Sequence, residues 1–164
     1  MIAVVSDTSR IANLIVIGEL SLLQRIYEKI IIPPKVHAEV IALEKFNVDL
    51  SVFLKAKWIE VLTPDKEHLA LVRKYLFDEG ETEAIALGLQ IHADVLLIDE
   101  LDGRRAANQL GLETTGLLGV IAKAKKQRII LSAKILFDKL IIEAGFRVGK
   151  DLYDRVLSDL DEIS

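Results

Sequence analysis

Ala93-Asp-Val-Leu-Leu-Ile-Asp-Glu-Leu-Asp-Gly-Arg-Arg105 is the stretch on which the fold turns. Within it, Val95 to Ile98 is a short apolar, partly β-branched run, which predicts a strand buried on both faces, as in a parallel sheet. Asp99, Glu100 and Asp102 follow at once. Gly103, Arg104 and Arg105 come next, where an amphipathic segment carrying Ala106, Ala107 and Leu110 begins. Ligands of open α/β sheets bind just beyond the carboxyl ends of the strands, which puts Asp99 at the functional edge. A second run, Ile2-Ala-Val-Val-Ser6, ends in Asp7-Thr8-Ser9. Two strands therefore deliver an aspartate to the same edge.

Outward from there, Thr8 or Ser9 is placed to cap a helix through Ile11, Leu14, Ile15 and Ile17, ended by Gly18. Leu20 to Tyr27 predicts a second helical piece. Lys29-Ile-Ile-Ile-Pro-Pro34 predicts a brief strand, and its second proline starts a helix carrying Val36, Glu39, Val40 and Leu43. A short helix and a strand at Trp58–Leu62 follow, then a helix capped by Asp65 and running from Lys66 to Phe77. Gly80-Glu-Thr-Glu-Ala-Ile-Ala-Leu-Gly-Leu89 opens another, with acids in the first turn where the macrodipole favours them. After the quoted strand come a helix from Gly103, a strand at Leu112–Thr115, helices over Gly116–Lys126 and from Ser132 to Ala144, and a terminal helix over Lys150–Ile163. Strands alternating with helices give an α/β layer fold with a mainly parallel sheet. Without internal repeat or linker, residues 1–164 read as a single domain.

Composition narrows the function. A chain of 164 residues, 51% of them hydrophobic, has material for one well-formed core and buries roughly 68–70% of its unfolded surface. The net charge of −4 argues against a general basic coat for nucleic acid but leaves a local site open. Zero cysteines exclude disulfides and thiolate metal sites. No run approaches the ~18 apolar residues of a membrane span, and the first residues lack the basic region of a secretion signal. A cytoplasmic protein is expected.

Asp7, Glu39, Glu81, Glu83, Asp99, Glu100 and Asp102 fall at element ends or in first turns rather than in mid-face. Mg²⁺ and Mn²⁺ want oxygen ligands of this kind, and a site that holds one activates water and offsets charge on a phosphodiester. Each acid taken alone also reads as a cap or turn residue. As a set they point to a metal, because two carboxylates ~5 Å apart repel by roughly 3 kcal/mol at an effective dielectric of ~20. On that account Asp99→Asn is expected to raise stability without metal. Glu81 and Glu83 face opposite sides of a regular helix, and Glu83 is preferred as the inward one. Thr8 and Ser9 read as caps or as supports of the site, and Arg104 and Arg105 as phosphate holders or salt-bridge partners. The basic cluster Lys123, Lys125, Lys126 and Arg128 reads as a solvated helix end. His37, His68 and His92 are scattered, which makes zinc a poor choice.

At Ser6-Asp-Thr-Ser9, Ile30-Ile-Ile-Pro-Pro34 with Val36 and Glu39, Gly80-Glu-Thr-Glu-Ala-Ile-Ala-Leu87 and Leu96-Leu-Ile-Asp-Glu-Leu-Asp-Gly-Arg104, the sequence resembles the PIN-domain family, in a VapC-like branch. Thr115-Gly-Leu-Leu-Gly119 and Gly145-Phe-Arg-Val148 resemble that branch too. The resemblance implies a PIN-like three-layer fold, its mainly parallel central sheet flanked by helices, and an acidic pocket for Mg²⁺ or Mn²⁺. Carried over residue by residue, Asp7 is the first-strand aspartate, Glu39 the second acid, Glu83 (or Glu81) the third and Asp99 the fourth. Relatives end the central strand in Thr-x-Asp, whereas this chain has Ile98-Asp-Glu-Leu-Asp102, so Asp99 and Asp102 compete for the last place.

What the resemblance implies in function is a metal-dependent endoribonuclease cutting single-stranded RNA. Its catalytic acids would be Asp7, Glu39, Glu83 and Asp99, with Glu81 and Asp102 as further metal ligands and Thr8, Ser9, Arg104 and Arg105 against the substrate. It implies the toxin half of a toxin–antitoxin pair, a homodimer bound by a small antitoxin-like protein and away from any membrane. The alternative is a non-catalytic PIN-like module that binds RNA or protein.

Overall fold

The most apolar runs take the middle of the sheet. In the computed structural model, which describes residues 2–163, β1 (Val4–Ser6), β2 (Ile30–Ile32), β3 (Ile59–Val61), β4 (Val95–Leu97) and β5 (Thr114–Thr115) lie in the order β3-β2-β1-β4-β5. The half-exposed Ile59–Val61 and the two threonines form the edges. All pairings are parallel, with Val4 opposite Val95, Val5 opposite Leu96 and Ser6 opposite Leu97. The chain leaves β1 towards β2 on one side and returns to β4 on the other. That makes the β1/β4 boundary the switch point where α/β sheets open a crevice.

Connecting these strands are α1 (Thr8–Val16), α2 (Ser21–Tyr27), α3 (Pro34–Ile41), a 3₁₀ turn (Ala42–Phe46), α4 (Ser51–Lys55), α5 (Lys66–Val72), α6 (Glu79–Gln90), α7 (Leu101–Gln109), α8 (Leu117–Lys126), α9 (Ala133–Glu143) and α10 (Lys150–Asp159). Side chains alternate across a strand, and the alternation splits the core in two. Val4 and Leu97 join Ile11, Leu14, Leu23, Ile121, Phe137 and Leu157 on one face. Val5, Leu96 and Ile98 join Val72, Ile85, Leu87 and Ala107 on the other. Both faces are covered, so the layers number three.

Several boundaries differ from the sequence expectation, three of them for a tertiary reason. The helix after Asp65 stops at Val72 rather than Phe77, because the chain must turn to set Asp78 as the N-cap of α6. The last helix ends at Asp159 rather than Ile163. There Glu162 folds back to cap α9, accepting from Ser132 Oγ at 2.7 Å and Ala133 N at 2.6 Å. The strand expected at Leu112–Thr115 pairs only at Thr114–Thr115, since Leu112 is buried against Gly88 of α6. The first strand starts at Val4, not Ile2.

If both faces are covered, Leu96→Ala and Leu97→Ala, on opposite faces of β4, should each destabilise by about 2–5 kcal/mol in urea unfolding. A near-neutral result for either one would mean that its face is open.

Candidate active site

β1 runs into α1 without a spacer, so Asp7 both ends the strand and caps the helix. Its N–H donates to Leu97 O at 3.1 Å and its carboxylate accepts from Arg10 N at 3.4 Å. The cap expected at Thr8 or Ser9 is thus one residue earlier, which turns a 3% exposed carboxyl towards the switch point. Thr8 serves the second acid instead: its Oγ1 donates to Glu39 Oε1 at 2.7 Å and holds α3 against α1.

The third acid comes from α6. Asp78 caps this helix by accepting from Glu81 N at 2.9 Å. Glu81 then stands in the first turn with Oε1 buried and without a hydrogen-bond partner. Glu83 points the other way and accepts from Lys35 N at 3.2 Å. The start of α3 has Pro33 as its N-cap and no side chain of its own to cap it, and Glu83 supplies that carboxylate. The preference for Glu83 as the inward member is therefore reversed.

Asp7, Thr8, Ser9, Glu39, Asp78, Glu81 and Glu100 line one pocket of about 320 Å³. Asp99 lies next to it but is taken. Arg10, 4% exposed, sets Nη1 2.5 Å from Asp99 Oδ2, and Leu117 N donates to both carboxylate oxygens at 3.2 Å. Asp102 is exposed beside Arg105 in an adjoining cleft that shares Asp78, Glu81 and Glu100 with the pocket. Arg104 faces away, with Nε donating to Thr114 Oγ1 at 3.4 Å. The structure thus gathers Asp7, Glu39, Glu81, Thr8 and Ser9, and sets Glu83, Asp99, Asp102, Arg104 and Arg105 outside the pocket. Sequence reading passed over Asp78, although Asp78-x-x-Glu81 has the spacing of a helix-start capping pair.

Three carboxylates rest on glycines. A Cβ on Gly80 would collide with Glu39 Oε1, one on Gly103 with Glu81 Oε1 and Ile98, and one on Gly116 with Asp99 Oδ1. The glycines of the sequence motifs are therefore places where a carboxylate meets bare backbone.

Burial is the main reason that the Asp7 carboxyl is pushed up to about 6; Arg10 opposes the rise, and the charges of Asp99 and Asp78 add to it. Glu81 is pushed up to about 7, first by burial, then by Asp78, Asp7 and Glu100. Such an oxygen-only set suits a hard divalent cation. Among the described residues no three His, Asp or Glu side chains are arranged to close round a metal ion. The fit is to a cation that keeps most of its water and takes one or two carboxylates, as Mg²⁺ does. The bare Glu81 Oε1 is the atom such a cation would satisfy.

Residues 3–162 match the sequence profile of a family described as PIN domain. Among solved structures the chain is similar to a PilT N-terminus domain protein from the hyperthermophilic archaeon Sulfolobus solfataricus P2. The identity is 17%, with 74% of this chain and 92% of that chain covered and a TM-score of 0.52, a likeness that speaks for the fold alone. No curated protein matches the chain.

Two stability measurements check this geometry. Folded Asp7 keeps its proton at pH values where the unfolded carboxyl, titrating near 3.8, has lost it. Metal-free stability should therefore fall as pH rises from about 4 to about 6, by at most about 3 kcal/mol for this group. Urea melts in EDTA should show that slope in the wild type and a flatter one in Asp7→Asn; an unchanged slope would place the titration elsewhere. The expectation for Asp99→Asn changes sign: removing the partner of a buried arginine should cost about 3 kcal/mol. A gain in stability would mean that repulsion among the acids outweighs the ion pair.

Proposed function

The chain belongs to the PIN-domain family, and from that membership we propose that it is a divalent-metal-dependent endoribonuclease acting on single-stranded RNA. PIN domains are typically nucleases and generally use divalent metals. The observation that carries the reading is the acidic pocket at the switch point, with its buried, unpartnered Glu81 oxygen. One or two of Asp7, Glu39 and Glu81 would hold a largely hydrated Mg²⁺ or Mn²⁺, which when bound supplies an activated water and offsets charge on the phosphodiester.

The rest falls to the chain. Thr8 orients Glu39. Arg10 fixes Asp99 and limits the rise in Asp7. Asp78 and Glu100 stand exposed at the rim and add negative charge that disfavours an RNA phosphate until a cation offsets it. The adjoining cleft of about 520 Å³ offers Tyr75 and Phe77, the latter fully exposed, together with Arg105. Exposed aromatic rings beside a cation are a stacking platform for unpaired bases, which favours a single strand over a duplex.

We assign the protein further to the toxin half of a toxin–antitoxin pair, acting as a homodimer. Support for a covering partner is an apolar groove of about 330 Å³ along the end of α1, lined by Ile15, Val16, Leu20, Val52 and Phe53. A small antitoxin-like protein would lay an apolar helix there.

The test is cleavage of labelled single-stranded RNA, duplex RNA and single-stranded DNA with Mn²⁺ or with EDTA. Only single-stranded RNA with metal should be cut. Asp7→Asn and Glu81→Gln, shown folded by circular dichroism, should lose at least about 100-fold in rate, whereas Glu83→Gln should keep its activity. Mn²⁺ at about 100 times its dissociation constant should add about 2.7 kcal/mol to the wild type. RNA bound but never cut, with no effect of Mn²⁺ on melting, would leave the non-catalytic module as the reading.

A further inference from the structure

α7 parts two arginines that are neighbours in sequence. Arg105 turns to the cleft beside the acidic pocket, while Arg104 lines a separate cavity of about 610 Å³ between β5, α8 and the segment running from Phe146 into α10. Arg147 lines the same cavity. Among the described residues neither Arg104 nor Arg147 belongs to an ion pair. The one carboxylate on the wall, Asp99, is already neutralised by Arg10 and bonded to Leu117 N. Much of the remaining wall is apolar, from Phe146, Val148, Leu152 and Val156.

Two guanidiniums outside any ion pair among the described residues, Arg104 holding only Thr114 Oγ1 through Nε, stand over an apolar wall in a chain of net charge −4. They complement a ligand that is anionic at one end and flat at the other. Guanidinium forks suit the several oxygens of a phosphate, and an aromatic face suits a base. The volume is in the range of small-ligand sites. We infer that this cavity binds one nucleoside phosphate unit, with the phosphate between Arg104 and Arg147 and the base against Phe146. It lies across the Arg10–Asp99 pair from the acidic pocket, so a strand engaged in one can reach the other. That the unit belongs to RNA rests on the nuclease reading; a free nucleotide has the same chemistry.

The test uses the full chain in EDTA. Titration calorimetry with adenosine monophosphate, adenosine and inorganic phosphate is set beside fluorescence anisotropy with a labelled single-stranded RNA oligomer. The unit should bind about tenfold or more tightly with its phosphate than without it. Arg147 is exposed, so Arg147→Ala should stay folded by circular dichroism. It should weaken binding by about tenfold and lower the salt slope by about one, with Arg147→Lys in between. Phe146→Ala should weaken the nucleotide but not inorganic phosphate. Asp7→Asn, which abolishes cleavage under the reading above, should leave nucleotide affinity unchanged. Binding by RNA alone assigns the subsite to the strand, and binding by the mononucleotide alone assigns it to a free ligand. Adenosine binding as tightly as its monophosphate, no effect of Arg147→Ala, or no binding by either probe overturns the inference. RNA cleavage by a chain that fails these tests leaves the nuclease reading standing.

Discussion

Arg10 is 4% exposed and meets Oδ2 of the partly exposed Asp99 at 2.5 Å, a guanidinium removed from water whose desolvation must be offset by close geometry and by hydrogen bonds to the atoms left over. The surrounding chain meets that demand on the carboxylate side, while Arg10 Nε stays buried without a hydrogen-bond partner among the described residues. Asp99 also accepts from the first amide of α8, and Arg10 gives its own amide to Asp7. The end of β4, the first turn of α1 and the start of α8 are thereby tied to one point. The same guanidinium limits how far burial raises the carboxyls of Asp7 and Glu81. The pair thus joins stability to the electrostatics of the acidic pocket.

Close approach is the second constraint. Carboxylates packed against a sheet edge need room that side chains would fill, and Gly80, Gly103 and Gly116 provide it on three different elements. Each stands near the start of a helix, where β1 and β4, buried on both faces, place the crevice. Fold and site therefore share one cause. Short, mostly apolar strands at the centre force a layered parallel sheet, and such a sheet opens at the β1/β4 switch point.

The two sides of that edge differ in charge. The acidic pocket and its aromatic cleft lie between α1, α3, α6 and α7, while the cavity with Arg104 and Arg147 lies between α7, α8 and the segment leading into α10. Asp99, facing the second side and neutralised from the first by Arg10, separates them. Under the proposed nuclease reading, a strand of RNA lying along the edge would meet carboxylates on one side, where it would be cut, and guanidiniums on the other, where it would be held.

The sequence alone determined the layers, the parallel sense of the sheet and the arrival of Asp7 and Asp99 at its carboxyl edge, because apolar runs, prolines and caps act within a few residues along the chain. It also pointed to Glu39 and to the pair Glu81 and Glu83. It preferred Glu83 as the inward member of that pair, and it made Asp99 a free acid. Tertiary structure decided both: the uncapped start of α3 drew Glu83 away, and a buried arginine from α1 claimed Asp99. Asp78 entered the site, and Glu162 left the last helix to cap α9. The physical reason is the same in each case. Whether a residue forms a helix or a strand is set largely by its neighbours in sequence, but the direction of a carboxylate follows the nearest unsatisfied donor, and here those donors come from chain segments brought together only by folding.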